Sequence, residues 1–428
     1  MTALNAPVRA EALLARLTAE QRAFAESEAP SICCHAAAGS GKTTAVAARV
    51  VHLIRFRHVE PRDIRVFVFT RAARHEIASR VADVLGPEVA RAVDVTTFHG
   101  FAARVVLRAE PATAIASETT HDEYVKSLYK GSTRLRGLPG VKAVERGIVA
   151  YEAGLAGDRD PDVARTIGLL LGRMGETAAV PMWELLPRAE AILEEPEALE
   201  AHARRHVIVD ESQDVTPREE AVARRTAERV AAVGDPRQAI MGFRGAVGLC
   251  GLTVYGGNEH PADGHLRLSR SHRFGPGIAG TTRMWFPWPN APVVGNPEIA
   301  DFVALSVSHD HVVARYKGDP SGLAVLCRTH DECDFAARHL SNLGLRVHYA
   351  GRRDPGDDSA TDPFDDAVAL NAAVVSTIHG AKGREFDAVY VPDSETDPRG
   401  IDDAECAYVA ATRARKALWL GRVRWAGL

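Results

Sequence analysis

Residues 36–44 read AAAGSGKTT, and they stand between the apolar run SICCH and the helix-forming stretch AVAARVVHLI. A strand that passes through a glycine-rich turn into a helix directs backbone N–H groups and the positive end of the helix dipole at one point, which favours an anion. In this pattern Lys42 reaches the β- and γ-phosphates of a nucleotide, and Thr43 places its hydroxyl on Mg²⁺. The general pattern begins with glycine where this chain has Ala36, and a chance small-residue turn is the alternative. The predicted phosphate loop comprises Ala36, Ala37, Ala38, Gly39, Ser40, Gly41, Lys42, Thr43 and Thr44.

In a second motif, VIVDESQD at 207–214, an apolar run is followed by two residues with carboxylate side chains. A doubly wound sheet presents its ligands at the carboxyl ends of its strands. Asp210 is expected to hold Mg²⁺, directly or through water, and Glu211 to orient and deprotonate the attacking water. An Asp-Glu pair after an apolar run is by itself a common strand end, but its place after a phosphate loop favours the catalytic interpretation.

A third segment, VAAVGDPRQAIMGFRGA at 230–246, supplies a further strand, a turn and several polar groups. Gln238 is a candidate sensor of the γ-phosphate, and Phe243 with Arg244 is positioned to face a second ligand. A capped turn with a packed aromatic ring is the alternative.

Apolar β-branched runs alternate with helical patterns, which indicates a mostly parallel sheet with helices on both faces. From about 100 to 204 the alternation gives way to helical, charged sequence, and a second series of strands and helices begins near 265. This pattern predicts a helical insertion within one α/β domain, followed by a second α/β domain.

Composition limits the class of protein without identifying it. The chain has 428 residues and a formal net charge of −4, and no apolar run approaches the roughly 20 residues of a membrane span. Its six cysteines form no C-x-x-C pair, so neither a zinc ribbon nor a disulfide framework is indicated. We expect a cytoplasmic protein without a membrane partner.

The order and spelling of the segments resemble the UvrD/Rep/PcrA-type superfamily 1 DNA helicases, from LTAEQRAF near the N-terminus to AYVAATRARKAL near the C-terminus. The resemblance implies an α/β fold of two RecA-like parallel-sheet P-loop NTPase domains with a helical insertion in the first. Residues 1–99 and 205–264 would then form the first, ATP-binding domain and 100–204 the insertion subdomain. Residues 265–428 would form the second RecA-like domain, which supplies two arginine fingers.

The same resemblance implies roles around ATP. Gln21 is similar to the glutamine that selects adenine, and His272 stands where the family usually has a tyrosine that stacks on the base. Arg273 in LSRSHR and Arg413 in AYVAATRAR resemble the arginines that reach the γ-phosphate. Glu385 joins the predicted nucleotide-binding set. The predicted catalytic set is Lys42, Asp210, Glu211, Gln238, Arg273 and Arg413, with Thr43 and Asp210 as metal ligands.

DNA contacts are implied by VFTRAARHEI at 68–77, TTFHGFA at 96–102, the GFR turn and STIHGAKGREFDAVYVP at 376–392. Phe243 replaces the usual tryptophan, and Arg71-Ala72 replaces the usual Asn-Lys pair. Three phenylalanines are candidates for stacking on bases, for which core packing is the alternative. The predicted DNA-binding residues are Phe69, Thr70, Arg71, Thr97, Phe98, His99, Phe243, Arg244 and His379.

The resemblance implies an ATP- and Mg²⁺-dependent helicase or translocase that moves 3′→5′ on single-stranded DNA or at single/double-strand junctions, with protein partners unidentified. Only about twenty residues separate RVHYAG from AVVSTIH, where the family usually has a large helical insertion. The sequence GRRDPGDDSATDPFDDA in this stretch predicts a polar, acidic connecting loop. We therefore expect a minimal form without that insertion. Two alternatives stay open: a single-stranded-DNA-dependent ATPase that does not unwind duplex alone, and a P-loop phosphotransferase or nucleotide-gated binding module.

Overall fold

A computed structural model describes residues 6–116, 141–155, 161–175, 179–246, 264–286, 292–350, 363–392 and 404–421. The chain divides into two compact units. The first comprises residues 1–35 and 42–267, and the second comprises residues 36–41 and 268–428. The domain boundaries predicted from the sequence stay a prediction.

The first unit is built on a six-stranded sheet with the order β3-β2-β6-β7-β1-β8. Neighbouring strands from β3 to β1 pair in parallel, with Phe67 opposite Val209 and Val209 opposite Ala232 in the centre. All four residues of β2 are buried, as expected for a parallel strand covered on both faces. The strands, including a separate two-stranded pair of β4 and β5, are β1 (Ser31–Ala36), β2 (Ile64–Phe67), β3 (Asp94–Thr96), β4 (Ala114–Ile115), β5 (Ala179–Val180), β6 (Arg204–Val209), β7 (Ala227–Gly234) and β8 (Gly264–Leu268).

Helices cover this sheet and fill most of the described part of 100–204. The helix Met182–Ile192 packs on Phe98–Ala109, and both contribute to the core that also contains β6 and β7. Val144, Ile148 and Trp183 belong to a smaller separate core. The described helices of this unit are Ala6–Ala15, Ala19–Glu26, Lys42–Arg55, Arg71–Leu85, Pro87–Ala92, Phe98–Ala109, Val141–Ala153, Pro161–Gly175, Met182–Ile192, Pro196–His202 and Pro217–Arg225, with 3₁₀ turns at Pro61–Asp63, Ser212–Asp214, Pro236–Gln238 and Gly242–Arg244.

The second unit contains another six-stranded parallel sheet, with the order β11-β12-β10-β13-β14-β9. Its central strand β10 is buried throughout. The strands are β9 (Phe302–Ala304), β10 (Leu323–Cys327), β11 (Val347–Tyr349), β12 (Ala373–Thr377), β13 (Phe386–Val391) and β14 (Ala414–Leu420), and the described helices are Pro276–Trp285, His309–Tyr316, His330–Asn342, Pro363–Ala369 and Ala404–Thr412. The predicted α/β class with parallel sheets is confirmed.

The short stretch between β11 and β12 is not wholly a loop. Its last part, Pro363–Ala369, forms a helix that packs against both strands, although we predicted a connecting loop. Residues 351–362 of this stretch lie outside the described part of the chain. Among the described helices of both units, none is long and apolar enough to cross a membrane.

Candidate functional site

The phosphate loop follows β1 and leads directly into the helix Lys42–Arg55, in the strand–turn–helix order that the sequence predicts. Gly39 and Gly41 have φ angles of 73° and 78°, a region that glycine enters without steric penalty. A Cβ atom on Gly39 would lie 2.5 Å from Ser271 Oγ and 2.6 Å from Arg273 Cβ. Glycine is therefore required at position 39 by the backbone angle and by the close approach of the 271–273 segment.

Hydrogen bonds hold the loop within the second unit. The His272 backbone N–H donates to Gly39 O over 2.7 Å, and the Tyr408 hydroxyl accepts from Ala38 N over 3.2 Å. Tyr408 is fully buried in the helix Ala404–Thr412. No local pattern predicts a role for Tyr408, because its contact with the loop arises only from the tertiary fold.

Lys42, Asp210 and Glu211 come together in the first unit. Lys42 opens its helix, and its Nζ lies 3.6 Å from Glu211 Oε1. Asp210 follows β6 directly and is buried. Burial, with the neighbouring Glu211 carboxylate as the second cause, raises the pKa of Asp210 from 3.8 to about 7. A cation near Asp210 would therefore stabilise the ionised form of its carboxyl group.

The backbone of Glu211 is unusual for a residue with a side chain. Its φ and ψ angles are 48° and 43°, in the left-handed region, and its N–H donates to Asp210 Oδ1 over 3.0 Å. Non-glycine residues in this region store strain on the order of 1–3 kcal/mol and concentrate at functional sites. The turn at Glu211 therefore positions two adjacent carboxylates at a local energetic cost.

A network that the sequence analysis missed connects this turn to the end of β7. Gln213 Nε2 donates to Glu211 Oε2 over 2.8 Å, while Gln213 Oε1 accepts from Asp235 N over 2.9 Å. Gln238 Nε2 in turn donates to Asp235 Oδ2 over 3.1 Å. Burial would raise the pKa of Asp235, but the Arg237 guanidinium, with Nε 2.7 Å from Oδ1, outweighs it and lowers that pKa. Gln238 thus joins the network through the Asp235 carboxylate.

Two other predicted nucleotide contacts, Gln21 and Thr44, have local structural roles in this structure. Gln21 forms a capping box with Thr18 at the start of Ala19–Glu26, with its Oε1 accepting from Thr18 N over 3.1 Å. Thr44 Oγ1 accepts from Arg80 Nη1 over 3.2 Å, and Thr43 is partly exposed beside Lys42. The predicted roles of Gln21, Thr43 and Thr44 toward ATP stay predictions.

The two predicted arginine fingers are held within the second unit. Arg273 Nη2 lies 2.5 Å from Glu385 Oε1, and its Nη1 donates to Thr412 O over 2.8 Å. Arg413 is buried, and its Nε donates to Val409 O over 3.2 Å. Glu385 therefore pairs with Arg273 in this structure, and Arg413 lies against the last turn of Ala404–Thr412.

The side chain of the predicted adenine-stacking residue His272 is exposed. The predicted DNA residue His379, also in the second unit, is partly exposed in the turn after β12. The predicted roles of His272 and His379 stay predictions.

Most of the predicted DNA-binding residues belong to the first unit, at the carboxyl ends of β2, β3 and β7. Thr70 and Thr97 are helix N-caps, accepting from Ala73 N and Gly100 N over 3.0 Å each. Arg71 is exposed in the first turn of its helix. The structure thus brings these predicted contacts to the edge of the sheet that also carries Asp210.

The three predicted stacking phenylalanines differ in exposure. Phe98 is only 2% exposed, and its ring stacks on Phe67 with the centroids 4.1 Å apart. The burial of Phe98 favours the core-packing alternative over base stacking, because its ring is a member of the hydrophobic core. Phe69 packs partly buried on the same core, whereas Phe243 is 66% exposed in the turn Gly242–Arg244. Phe243 is therefore the strongest candidate for stacking on a ligand.

His99 contacts a helix of the 100–204 region, and Arg244 follows Phe243 in the chain. His99 Nε2 is 2.7 Å from Glu152 Oε1 on the helix Val141–Ala153. Arg244 is exposed next to Phe243. The Glu152 contact was not predicted, because it joins residues more than fifty positions apart.

Comparison with known proteins gives two family matches. The UvrD/REP helicase N-terminal domain matches residues 17–134 and 150–249, and the UvrD-like helicase C-terminal domain matches residues 372–420. These matches include the phosphate loop, the 207–214 motif and Arg413.

Individual relatives align over part of their length. The chain is 28% identical to ATP-dependent DNA helicase UvrD1 of Mycobacterium leprae, over 55% of this chain and 35% of that protein. It is 27% identical to ATP-dependent DNA helicase Rep of Salmonella typhimurium, over 49% and 34%, and 27% identical to ATP-dependent DNA helicase PcrA of Bacillus subtilis, over 53% and 33%. The chain thus matches about a third of the length of each of these relatives.

Proposed function

Because this chain belongs to the UvrD/REP helicase family, we propose that it is an ATP-dependent motor that moves along single-stranded DNA. The observation that carries this proposal is the convergence of Lys42 and Glu211 beside the buried carboxyl of Asp210, at the edge of the sheet where Phe243 is exposed. A nucleotide site and an aromatic ring for base stacking at the same edge of a sheet suit a protein that couples ATP hydrolysis to DNA binding.

Each residue of the proposed nucleotide site has a chemical task. The loop N–H groups and Lys42 would bind the phosphates of ATP. Glu211 would orient the attacking water and accept its proton, for which Gln213 holds the carboxylate in place. In the present structure Glu211 is paired with Lys42, so ATP would have to displace this ion pair before the carboxylate is available to water.

The donor set near Lys42 suits Mg²⁺. This cation prefers oxygen ligands and is commonly held by one or two carboxylates together with substrate phosphates. The buried Asp210 carboxyl and the Thr43 hydroxyl are donors of this kind, and a cation would offset the burial that raises the pKa of Asp210. When bound, Mg²⁺ would neutralise charge on the β- and γ-phosphates.

We further propose that Arg273 and Arg413 stabilise the charge that develops on the γ-phosphate. Arg273 is supported by the approach of its backbone to the phosphate loop at Gly39. For either guanidinium to reach a phosphate, its present hydrogen bonds to carbonyl groups must be exchanged for bonds to phosphate oxygens. These arginines would then couple turnover to rearrangement of the second unit.

The proposed DNA contacts combine stacking with backbone binding. Phe243 offers an exposed ring, and stacking is worth roughly 1–3 kcal/mol per base with little dependence on sequence. Arg71 and Arg244 are exposed cations on the same unit, suited to phosphates of the DNA backbone. Movement in the 3′→5′ direction and a preference for single/double-strand junctions are parts of the proposal that rest on the family alone.

The test is the rate of ATP hydrolysis at increasing concentrations of single-stranded DNA, duplex DNA and RNA. Strong stimulation by single-stranded DNA supports the motor, and its absence with every nucleic acid would refute it. Displacement of streptavidin from a biotin at the 5′ end but not the 3′ end of an oligonucleotide would establish 3′→5′ movement, and the opposite pattern would reverse the proposed polarity.

A second candidate function is translocation on single strands without unwinding of duplex. It is favoured by the connection of only about twenty residues between β11 and β12, at the place where the family usually has a large helical insertion. A strand-separation assay on a duplex with a 3′ overhang separates the two functions. Unwinding by the purified protein alone would reject the second candidate.

A further inference from the structure

A cavity of about 120 Å³ lies in the first unit, at the edge of the sheet opposite to Asp210. Its lining comes from the start of β6, the start of β7, the last turns of the helix Lys42–Arg55 and the segment that precedes β1. None of the predicted nucleotide or DNA contacts lines it. The cavity is large enough for the four oxygen atoms of a tetrahedral oxyanion, at about 30 Å³ for each water-sized group.

A buried arginine supplies a donor inside this cavity. Arg49 is only 3% exposed, and its Nη1 donates to Phe24 O over 2.8 Å and to Ser27 O over 3.1 Å. Its Nε is buried and has no hydrogen-bond partner among the described residues. A buried charged donor left without an acceptor is unfavourable, and an anion in the cavity would supply that acceptor.

The lining carries an excess of positive charge. Four arginines face two glutamates, Glu26 and Glu28. Glu28 is already engaged, because its Oε1 lies 2.6 Å from Arg57 Nη1. Arg205 is exposed, and no hydrogen bond or ion pair of its side chain is found in the described part of the chain. The lining arginines are Arg49, Arg57, Arg205 and Arg229.

Two histidines add further donors. Burial first, and then the charges of Arg49, Arg205 and Arg229, lower the pKa of His206 to about 4. His52, whose pKa is lowered chiefly by burial, has a buried Nδ1 without a partner among the described residues. Burial first, and then the nearby arginines, disfavour a positive charge on both rings, and a bound anion would relieve part of the repulsion from the arginines.

We propose that this cavity is a second phosphate-binding site, distinct from the nucleotide site, whose ligand is either a free phosphate ion or a phosphate of a DNA backbone. Arginine forks and neutral imidazole N–H groups are the donors that recognise phosphate oxygens. The proposal does not depend on the motor activity, since none of the residues that carry it belongs to the proposed ATP or DNA contacts.

The test measures binding of inorganic phosphate by isothermal titration calorimetry in chloride buffer at pH 7. All proteins carry Lys42→Ala, so that the phosphate loop contributes little. Arg205→Glu alters the cavity at an exposed position that does not threaten the fold, and Arg62→Glu makes the same charge change at an exposed residue outside it. Matched thermal unfolding of the variants verifies that each is folded.

We expect Arg205→Glu to weaken phosphate binding at least about tenfold, as loss of a charged hydrogen bond predicts, and Arg62→Glu to leave it unchanged. A parallel titration with an oligothymidylate lacking terminal phosphates identifies the source. Weakening of both titrations by Arg205→Glu indicates backbone phosphate, and weakening of the inorganic phosphate titration alone indicates the free ion. Absence of phosphate binding, or equal binding by the two variants, would overturn the proposal.

Discussion

Replacing Asp210 with asparagine should make the protein more stable at alkaline pH while abolishing ATP hydrolysis. The asparagine side chain keeps the acceptor oxygen that binds the Glu211 N–H, so the turn after β6 is preserved. What is removed is a buried negative charge beside a second carboxylate. Sites that hold a metal often carry such a charge at the expense of stability in the absence of the metal.

The size of the effect follows from the pKa of Asp210, which rises from 3.8 to about 7 on folding. Because the folded protein binds this proton more tightly than the unfolded chain, the associated stability is fully present below pH about 4 and is lost as the pH rises through about 7. Between pH 5 and pH 8 the free energy of unfolding of the wild type should therefore fall by about 3 kcal/mol relative to Asp210→Asn.

The assay is hydrogen exchange of the amides of β6 across a urea series, which reports the stability of the unit that contains Asp210. The variant and the wild type are compared at pH 5 and pH 8 without divalent cations. Adding Mg²⁺ and ADP should raise the stability of the wild type at pH 8 and leave the variant nearly unchanged. A difference between the two proteins that does not vary with pH would show that Asp210 is ionised without penalty and refute the reasoning.

Three further outcomes are expected. Glu211→Gln should still bind ATP but hydrolyse it at least about 10²-fold more slowly, because it lacks the general base. Filter binding measures the ATP affinity, and single-turnover hydrolysis measures the rate. Unchanged turnover would show that Glu211 is not the base. Arg413→Ala should slow steady-state turnover by on the order of 10³-fold with little change in ATP affinity, and a variant with normal turnover would contradict its assignment as a finger. Phe243→Ala should weaken single-stranded DNA binding, measured by fluorescence anisotropy, by about 1–3 kcal/mol without lowering the melting temperature. Phe98→Ala should instead destabilise the fold by about 3–5 kcal/mol. The reverse pattern would exchange the roles of the two residues.

The buried central strands could be predicted from the sequence, because each strand is marked by an apolar run within one segment. The apolar runs that became β1, β6 and β10 are buried on both faces, and such runs are legible without tertiary information. The edge strands β9 and β11 have three residues each, too few for a pattern to distinguish them from a loop. The acidic residues of Pro363–Ala369 predict a solvated loop, although Asp365 and Asp366 also suit the first turn of a helix, which the structure shows.

The candidate site was likewise predictable from local sequence only in part. The positions of Lys42, Asp210 and Glu211 followed from the strand–turn–helix pattern and from the end of an apolar run. Phe98 was assigned to DNA by its place in a motif, but its burial is decided by Phe67, which lies about thirty residues away in the chain.

The link through Gln213 between Glu211 and Asp235 arises from contacts between different strands, which no single segment encodes. The capping box of Gln21 was visible in the sequence, because Thr18 stands three residues before it. The spacing of Thr18 and Gln21 therefore indicates a structural role for Gln21 beside its predicted role toward adenine.

The central claim is that hydrolysis at the Lys42–Glu211 site is coupled to single-stranded DNA. The most direct measurement is the ATPase rate against single-stranded DNA concentration for the wild type and Glu211→Gln, at two salt concentrations because contacts with the DNA backbone weaken with salt. We expect single-stranded DNA to stimulate the wild type strongly, at higher DNA concentrations when the salt is raised, and not to stimulate the variant. An ATPase rate that is the same with and without DNA, or stimulation that persists in Glu211→Gln, would contradict the claim.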